Sequence, residues 1–264
     1  MPGRDMRLRY SALSDTGLVR PHNEDRWGAV DDDGLFVVAD GMGGYNAGEI
    51  AAELAVRTAC EQIRQTNGGA EVLNAAMQSA LDHSNHEIRM YAAAHPDCLG
   101  MGTTIVACVI RGDRLHVAHI GDSRAYLLRD GLLRRITRDH SIGQQITDSG
   151  ALTEAQVRHL PGRGILTRAL GVEESVASEI NVFDWQPRDT LLLCSDGLTD
   201  VVPDQQIEQL LIASAAGGPD GQARVLVEAA LKAGGCDNVT ALVAEEVPQA
   251  HQEGRAAGAQ EPMH

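Results

Sequence analysis

Residues 103–120 tie the chain to antiparallel sheet. Thr103–Ile110 (TTIVACVI) and Leu115–Ile120 (LHVAHI) are β-rich runs joined only by Arg-Gly-Asp-Arg, a connection that reads as a hairpin. A second hairpin follows, with Ala125–Leu128 and Leu132–Ile136 flanking Arg-Asp-Gly. Leu35–Ala39 (LFVVA), Thr190–Cys194 (TLLLC) and Asn238–Val243 (NVTALV) read as further strands. Two long helices interrupt them. From Ala47 to about Gln65, Ile50, Leu54, Ala55, Ala59 and Ile63 share one face. From Ala70 to about Ala93, Leu73, Ala76, Met77, Ala80, Leu81 and Ile88 do the same. Gly68-Gly69 separates them, which predicts an antiparallel pair. Later helices are expected at Gln205–Ser214 and Gly221–Ala233. Hairpins with paired helices predict an α+β chain of antiparallel sheets covered by helices, not a doubly wound βαβ fold.

Composition narrows the function. The 264 residues suit one large domain or two small ones, and 43% apolar residues are enough for a sizeable core. Aromatics are only 3%, so Leu, Val, Ile and Ala must pack it. A formal net charge of −15 argues against nucleic-acid binding, which needs a positive surface. The five cysteines (Cys60, Cys98, Cys108, Cys194, Cys236) contain no C-x-x-C pair, so reduced, mostly buried thiols are expected. MPGRDMRLRY lacks the apolar core of a signal peptide, and no apolar run approaches the ~20 residues that cross a bilayer. A soluble, cytoplasmic protein is expected. Ser141–Gly171, with Gly150, Pro161, Gly162 and Gly164, reads as an irregular loop or lid. The Gln-, Gly- and Ala-rich residues 248–264 read as a disordered tail.

One pattern recurs at the strand ends. LFVVA runs into Asp40-Gly41, LHVAHI into Gly121-Asp122-Ser123, and TLLLC into Ser195-Asp196-Gly197; Cys236-Asp237-Asn238 opens the last strand. An aspartate there sits on a rigid support at the edge of the core, good for a fixed ligand site. Any one Asp-Gly or Asp-Asn pair alone is a turn signal. Four together imply carboxylates that would repel one another unless divalent cations relieve them, and oxygen donors suit Mg²⁺ and Mn²⁺.

Other segments admit two readings. Gly41-Met42-Gly43-Gly44 lacks the P-loop and dinucleotide fingerprints, so its glycines serve a sharp turn that lets a carbonyl such as that of Gly41 face a metal. Arg20, ahead of Pro21-His22-Asn23-Glu24-Asp25, is either part of a charged turn or a fork for two phosphate oxygens, with Glu24 and Asp25 adding metal contacts. His83 and His86 are expected to face solvent. His140 fits a structural role and a place beside the site equally. No nucleophile elbow accompanies a suitable Asp and His, so a serine triad is unsupported.

Taken in order, Arg20–Asp25 (RPHNED), Val38–Glu49 (VADGMGGYNAGE), Gly121–Tyr126 (GDSRAY), Cys194–Asp200 (CSDGLTD) and Gly235–Thr240 (GCDNVT) resemble the metal-dependent protein phosphatases of the PPM/PP2C type, in particular compact bacterial members. The resemblance runs from about Arg7 to Glu246. It implies a four-layer α-β-β-α sandwich: two antiparallel sheets face to face, with a helix pair on each outer side. It places the phosphatase domain at residues 1–247, with a flexible flap at about 141–171.

The implied activity is hydrolysis of phosphoserine and phosphothreonine in proteins at a dinuclear Mn²⁺ or Mg²⁺ centre, through a metal-activated bridging hydroxide. By resemblance, Asp40 bridges two central ions, Asp196 and Asp237 hold one, and Glu24 and the Gly41 carbonyl serve the other. Asp25 acts through water. Asp122 with Asp196 binds a third, weaker ion, with Asp200 a further addition. Arg20 holds the substrate phosphate. A monomer opposing a bacterial Ser/Thr kinase is the implied partner relationship.

The chain departs from the family at three positions. Met42 stands where some eukaryotic relatives carry a His that protonates the leaving group, which leaves a metal-bound water as the substitute. Tyr45 stands where many bacterial members have His, and Gly164 where Asn is common. Two further readings are a catalytically weak phosphoprotein-binding relative and a phosphatase for small phosphoesters. Loss of a core aspartate would favour the first, and none is lost.

Overall fold

The computed structural model describes residues 6–44, 47–66 and 68–248. Tyr45 and residues 249–264 of the expected tail lie outside the described residues; Pro248 ends the last strand, opposite Met6. In chain order the first elements are β1 (Met6–Asp15), β2 (Asp25–Val30), β3 (Leu35–Met42), α1 (Ala47–Ile63) and α2 (Ala70–Ala94). Then come β4 (Gly102–Thr103), β5 (Ile105–Arg111), β6 (Arg114–Ile120), β7 (Arg124–Arg129) and β8 (Leu132–Arg135). The chain continues through α3 (Ile142–Asp148), α4 (Glu154–Val157), β9 (Glu179–Asp184), β10 (Thr190–Cys194) and α5 (Asp196–Thr199). It ends with α6 (Asp204–Ala213), α7 (Gly218–Lys232) and β11 (Val239–Pro248).

Two antiparallel sheets result. One runs β1-β11-β10-β7-β8; the other runs β2-β3-β5-β6-β9, with β4 paired to the end of β3. Three apolar layers hold them. Leu35, Val37 and Ala39 of β3 face α1 and α2, while Phe36 and Val38 point between the sheets. Leu191 and Leu193 of β10 meet them in that middle layer, and Leu192 and Cys194 face α6 and α7. Both faces of these central strands are covered, which is why their sequences are continuously apolar despite antiparallel pairing. The four-layer α-β-β-α sandwich is therefore present.

The differences from the expected elements have local causes. The run Thr103–Ile110 is split because Thr104 leaves its ladder: its N–H donates to the Asp40 carbonyl (2.9 Å) and its Oγ1 accepts from the Asp40 N–H (3.0 Å). No strand signal marks β1, β2 or β9, which are sheet edges whose residues are mostly only half-buried. Ser141–Gly171 holds two short helices; α4 is closed by a capping box between Thr153 and Gln156. The isolated bridge Thr103–Leu170 ties this segment to the body, and Ser141–Leu166 closes it on itself. The five cysteines are free, and three are buried. No helix among the described residues is long and apolar enough to cross a membrane.

Leu193 is fully buried in the layer between the sheets. Leu193→Ala is expected to destabilise the protein by about 2–5 kcal/mol, read from urea unfolding midpoints.

Candidate metal and phosphate site

The strand-end aspartates converge. Asp25 and Asp40 are directly opposite one another in the β2–β3 ladder. Asp40, Asp122, Asp196 and Asp237 line a single cleft of about 560 Å³ together with Arg20, Glu24 and Gly41. Asp122 follows β6, Asp196 opens α5 after β10, and Asp237 precedes β11, so both sheets contribute. Asp200, one turn on from Asp196, is ion-paired with Arg163 at 2.9 Å and lines a smaller cavity beneath α3 and α4 with Asp122 and Asp196.

Packing carboxylates this closely disturbs their protonation. Burial, then Asp25, Asp196 and Asp122, hold the Asp40 carboxyl well above the ordinary carboxylate range. Burial and Asp196 do the same to Asp122. Asp196 is pushed up to about 7 by burial and by Asp200, Asp237 and Asp25. Asp25 is pushed up to about 6, chiefly by burial. The Glu24 carboxyl is also raised, first by burial.

The donor set fits divalent cations. It consists of oxygens only, as hard cations require. Asp25 Oδ2 accepts from Ser195 Oγ and Thr240 Oγ1, both at 2.7 Å, while its buried Oδ1 has no hydrogen-bond partner. At Gly41 an added Cβ would fall 2.1 Å from the Gly48 carbonyl oxygen and 2.8 Å from that of Glu24. Only glycine permits this close backbone approach.

Asn238 organises this end of the site, a role for which its place in an Asp-Asn turn gave no signal. Its Oδ1 accepts from the Glu24 N–H (2.8 Å), and its Nδ2 donates to the carbonyls of Thr16 (2.9 Å) and His22 (2.8 Å). Its own N–H donates to Asp237 Oδ1 at 2.9 Å. One side chain thereby fixes the loop carrying Arg20 to the segment carrying Glu24. Arg20 Nη2 donates to Asp237 Oδ2 at 2.7 Å; a guanidinium has five N–H donors, so the fork retains donors for a phosphate.

The histidines separate. His83 and His86 are exposed. His140 is buried beside the site, its Nδ1 accepting from the N–H of Gly121, the residue before Asp122 (3.1 Å). His119, His140 and Glu179 bring potential ligand atoms within 4.8 Å of one another. The two rings stack at 4.8 Å and 14°, so their in-plane lone pairs cannot meet at one ion. His119 Nε2 donates to the Arg138 carbonyl (2.8 Å), and the Arg168 guanidinium lies 3.2 Å from His140 Nε2. This group is a brace for the Gly121 turn.

Two expectations follow. The raised pKa values of Asp25 and Asp196 mean that the metal-free native state binds more protons than the unfolded chain between about pH 4 and 7. Its stability is therefore fullest at low pH within that window and is lost as pH rises through the folded values. Thermal melting in EDTA should occur at lower temperature at pH 8 than at pH 5.5, and Asp196→Asn should raise the pH 8 value. Asn238→Ala should weaken apparent Mn²⁺ affinity by about 10–100-fold, measured by calorimetric titration.

Comparison with known proteins identifies the family. The family model described as "Protein phosphatase 2C" matches residues 20–233. A serine/threonine phosphatase, stp, of Listeria monocytogenes is 38% identical over 237 residues, covering 88% of this chain and 93% of that one. The crystal structure of the Mycobacterium tuberculosis serine/threonine phosphatase PstP/Ppp superposes with a TM-score of 0.84 at 40% identity, covering 90% of this chain and 98% of that one. A structure of the PstP catalytic domain with two manganese ions gives 0.82 at 39% identity, covering 92% and 99%. The chain belongs to the protein phosphatase 2C family.

Proposed function

We propose that the protein removes phosphate from phosphoserine and phosphothreonine in proteins, using Mn²⁺ or Mg²⁺ held by the strand-end carboxylates. The observation that carries this reading is the convergence of Asp40, Asp122, Asp196 and Asp237 with Arg20 in one open cleft. Asp40 would serve both central ions; Asp196 and Asp237 would hold one, and Glu24 and the Gly41 carbonyl the other. Asp25 acts through a water at its unpartnered Oδ1, supported by Ser195 and Thr240. Asp122 and Asp196 form a third, weaker site. Asp200, whose Oδ2 is ion-paired with Arg163, would add its second oxygen to that site.

When bound, the ions supply an acidified water as nucleophile and positive charge for the phosphoryl oxygens. The protein does the rest. Arg20 orients the phosphate and neutralises its equatorial oxygens during in-line attack. Asn238 keeps the Arg20 loop and Glu24 in register. Met42 carries no dissociable proton, so the leaving alkoxide takes its proton from water. The segment at about 141–171, carrying α3 and α4, is the flap of a single domain spanning residues 1–247. A Ser/Thr kinase must generate the substrates, so the protein works in opposition to one.

Purified protein should hydrolyse p-nitrophenyl phosphate with added Mn²⁺ and stop in EDTA; metal-independent turnover would sink the mechanism. Asp196→Ala should lower kcat more than about a hundredfold. Arg20→Ala should lower kcat/KM by about 10–100-fold, the loss of a charge-assisted contact worth about 1.5–3 kcal/mol.

A further inference from the structure

The cleft extends past the carboxylates along a wall with no part in handling phosphate. Its volume of about 560 Å³ lies in the range of complete ligand sites, about 300–1,000 Å³, and far exceeds a phosphoryl group. Beyond Gly41 the lining includes an apolar group, Met42, Ile165, Val172 and Val176, with Arg168 and Glu173 beside it. Met42 pairs with Gly102 across the β3–β4 ladder. A Cβ on Gly102 would lie 2.8 Å from Met42 Cε and 3.0 Å from Val172 Cγ2. The absent side chain is what lets these two apolar groups close over Gly102 as one surface.

This surface is held in water by rigid backbone. Val172 is 56% exposed and Ile165 61% exposed. Yet the residues on both sides of Val172 are clamped by the buried Asn85: its Oδ1 accepts from the Gly171 N–H at 2.7 Å, and its Nδ2 donates to the Glu173 carbonyl at 3.1 Å. Thr103 and Leu170 exchange both backbone hydrogen bonds, at 3.1 and 2.9 Å. Ile165 is fixed by Ile142 N–H donating to its carbonyl (2.9 Å) and by its own N–H donating to Gly162 (3.1 Å). A hydrogen-bonded frame that keeps aliphatic side chains exposed inside a cleft marks a binding surface.

We propose that Met42, Val172 and Ile165 form a specificity wall that receives an aliphatic side chain adjacent to the phosphoresidue of a protein substrate. The proposal rests on the phosphoprotein phosphatase reading above. The occupant follows from continuity: Met42 is two residues from Asp40 and lines the same cleft, so a chain whose phosphate sits at Arg20 and Asp40 has this wall within reach. The same wall explains what replaces a proton-donating side chain at Met42: an apolar contact for the substrate beside its leaving group.

The test uses the full-length protein with Mn²⁺ and phosphothreonine peptides that differ only in the residues flanking the phosphothreonine: Val or Leu, Ser, Glu, or Lys. The wild type should prefer the aliphatic peptides by about tenfold in kcat/KM, carried by KM. Val172→Ser should erase that preference. Val172→Glu should move it to the Lys-flanked peptide, a gain that a misfolded variant could not show. Equal rates for all peptides, a preference unchanged in Val172→Ser, or a wild-type preference for Lys abolished by Glu173→Gln would overturn the wall. Failure of the wild type to hydrolyse p-nitrophenyl phosphate and every peptide would instead overturn the phosphatase reading.

Discussion

Mutual repulsion among buried carboxylates is the constraint from which the rest of the structure follows. Asp25, Asp40, Asp122 and Asp196 cannot all ionise in one desolvated cluster, and their raised pKa values express that conflict. The apolar layers beneath them offset that cost. The central strands are buried on both faces, and the charges sit where those strands end. Stability made in the core is spent at its edge, the usual relation between a scaffold and a site. Cations relieve the repulsion, so metal binding and stability are linked.

Around the carboxylates, neutral side chains decide orientation. Asn238 joins three backbone groups from one loop; Ser195 and Thr240 hold one oxygen of Asp25 and leave the other open; Thr104 fixes the backbone of Asp40 from both sides. These are buried polar groups whose hydrogen bonds are directional and short, so they position ligands without adding charge to a crowded site. His140 acts in the same way on Gly121. The protein thus separates two tasks: aspartates carry charge, and uncharged residues carry geometry.

The opposite wall of the cleft has the reverse character. Val172 and Ile165 are apolar and exposed and Met42 is half-buried, on backbone pinned by Asn85, Thr103 and Ile142. Under the proposed function, a phosphate site at one end and an aliphatic surface at the other would give a substrate chain two unlike anchors. Charge orients the reacting group, and apolar contact discriminates among the residues beside it.

Much was legible before any coordinates. The hairpin at 103–120 and the helix pair at 47–94 determined antiparallel sheets covered by helices, because short connections and helical periodicity are local properties. The acidic strand ends marked Asp40, Asp122, Asp196 and Asp237, since apolar runs that stop at an aspartate need no tertiary context to be seen. The edge strands β1, β2 and β9 were hidden because half-exposed strands lose the apolar signal. Ser141–Gly171 read as irregular because its two helices are too short to show a period. Only the tertiary structure decided that Asn238 bridges residues more than 200 positions away. It alone brought Met42 and Val172 together around Gly102, and showed Arg20 already engaged with Asp237. Those contacts join distant segments through hydrogen bonds and packing, and a sequence read in order carries no distance between them.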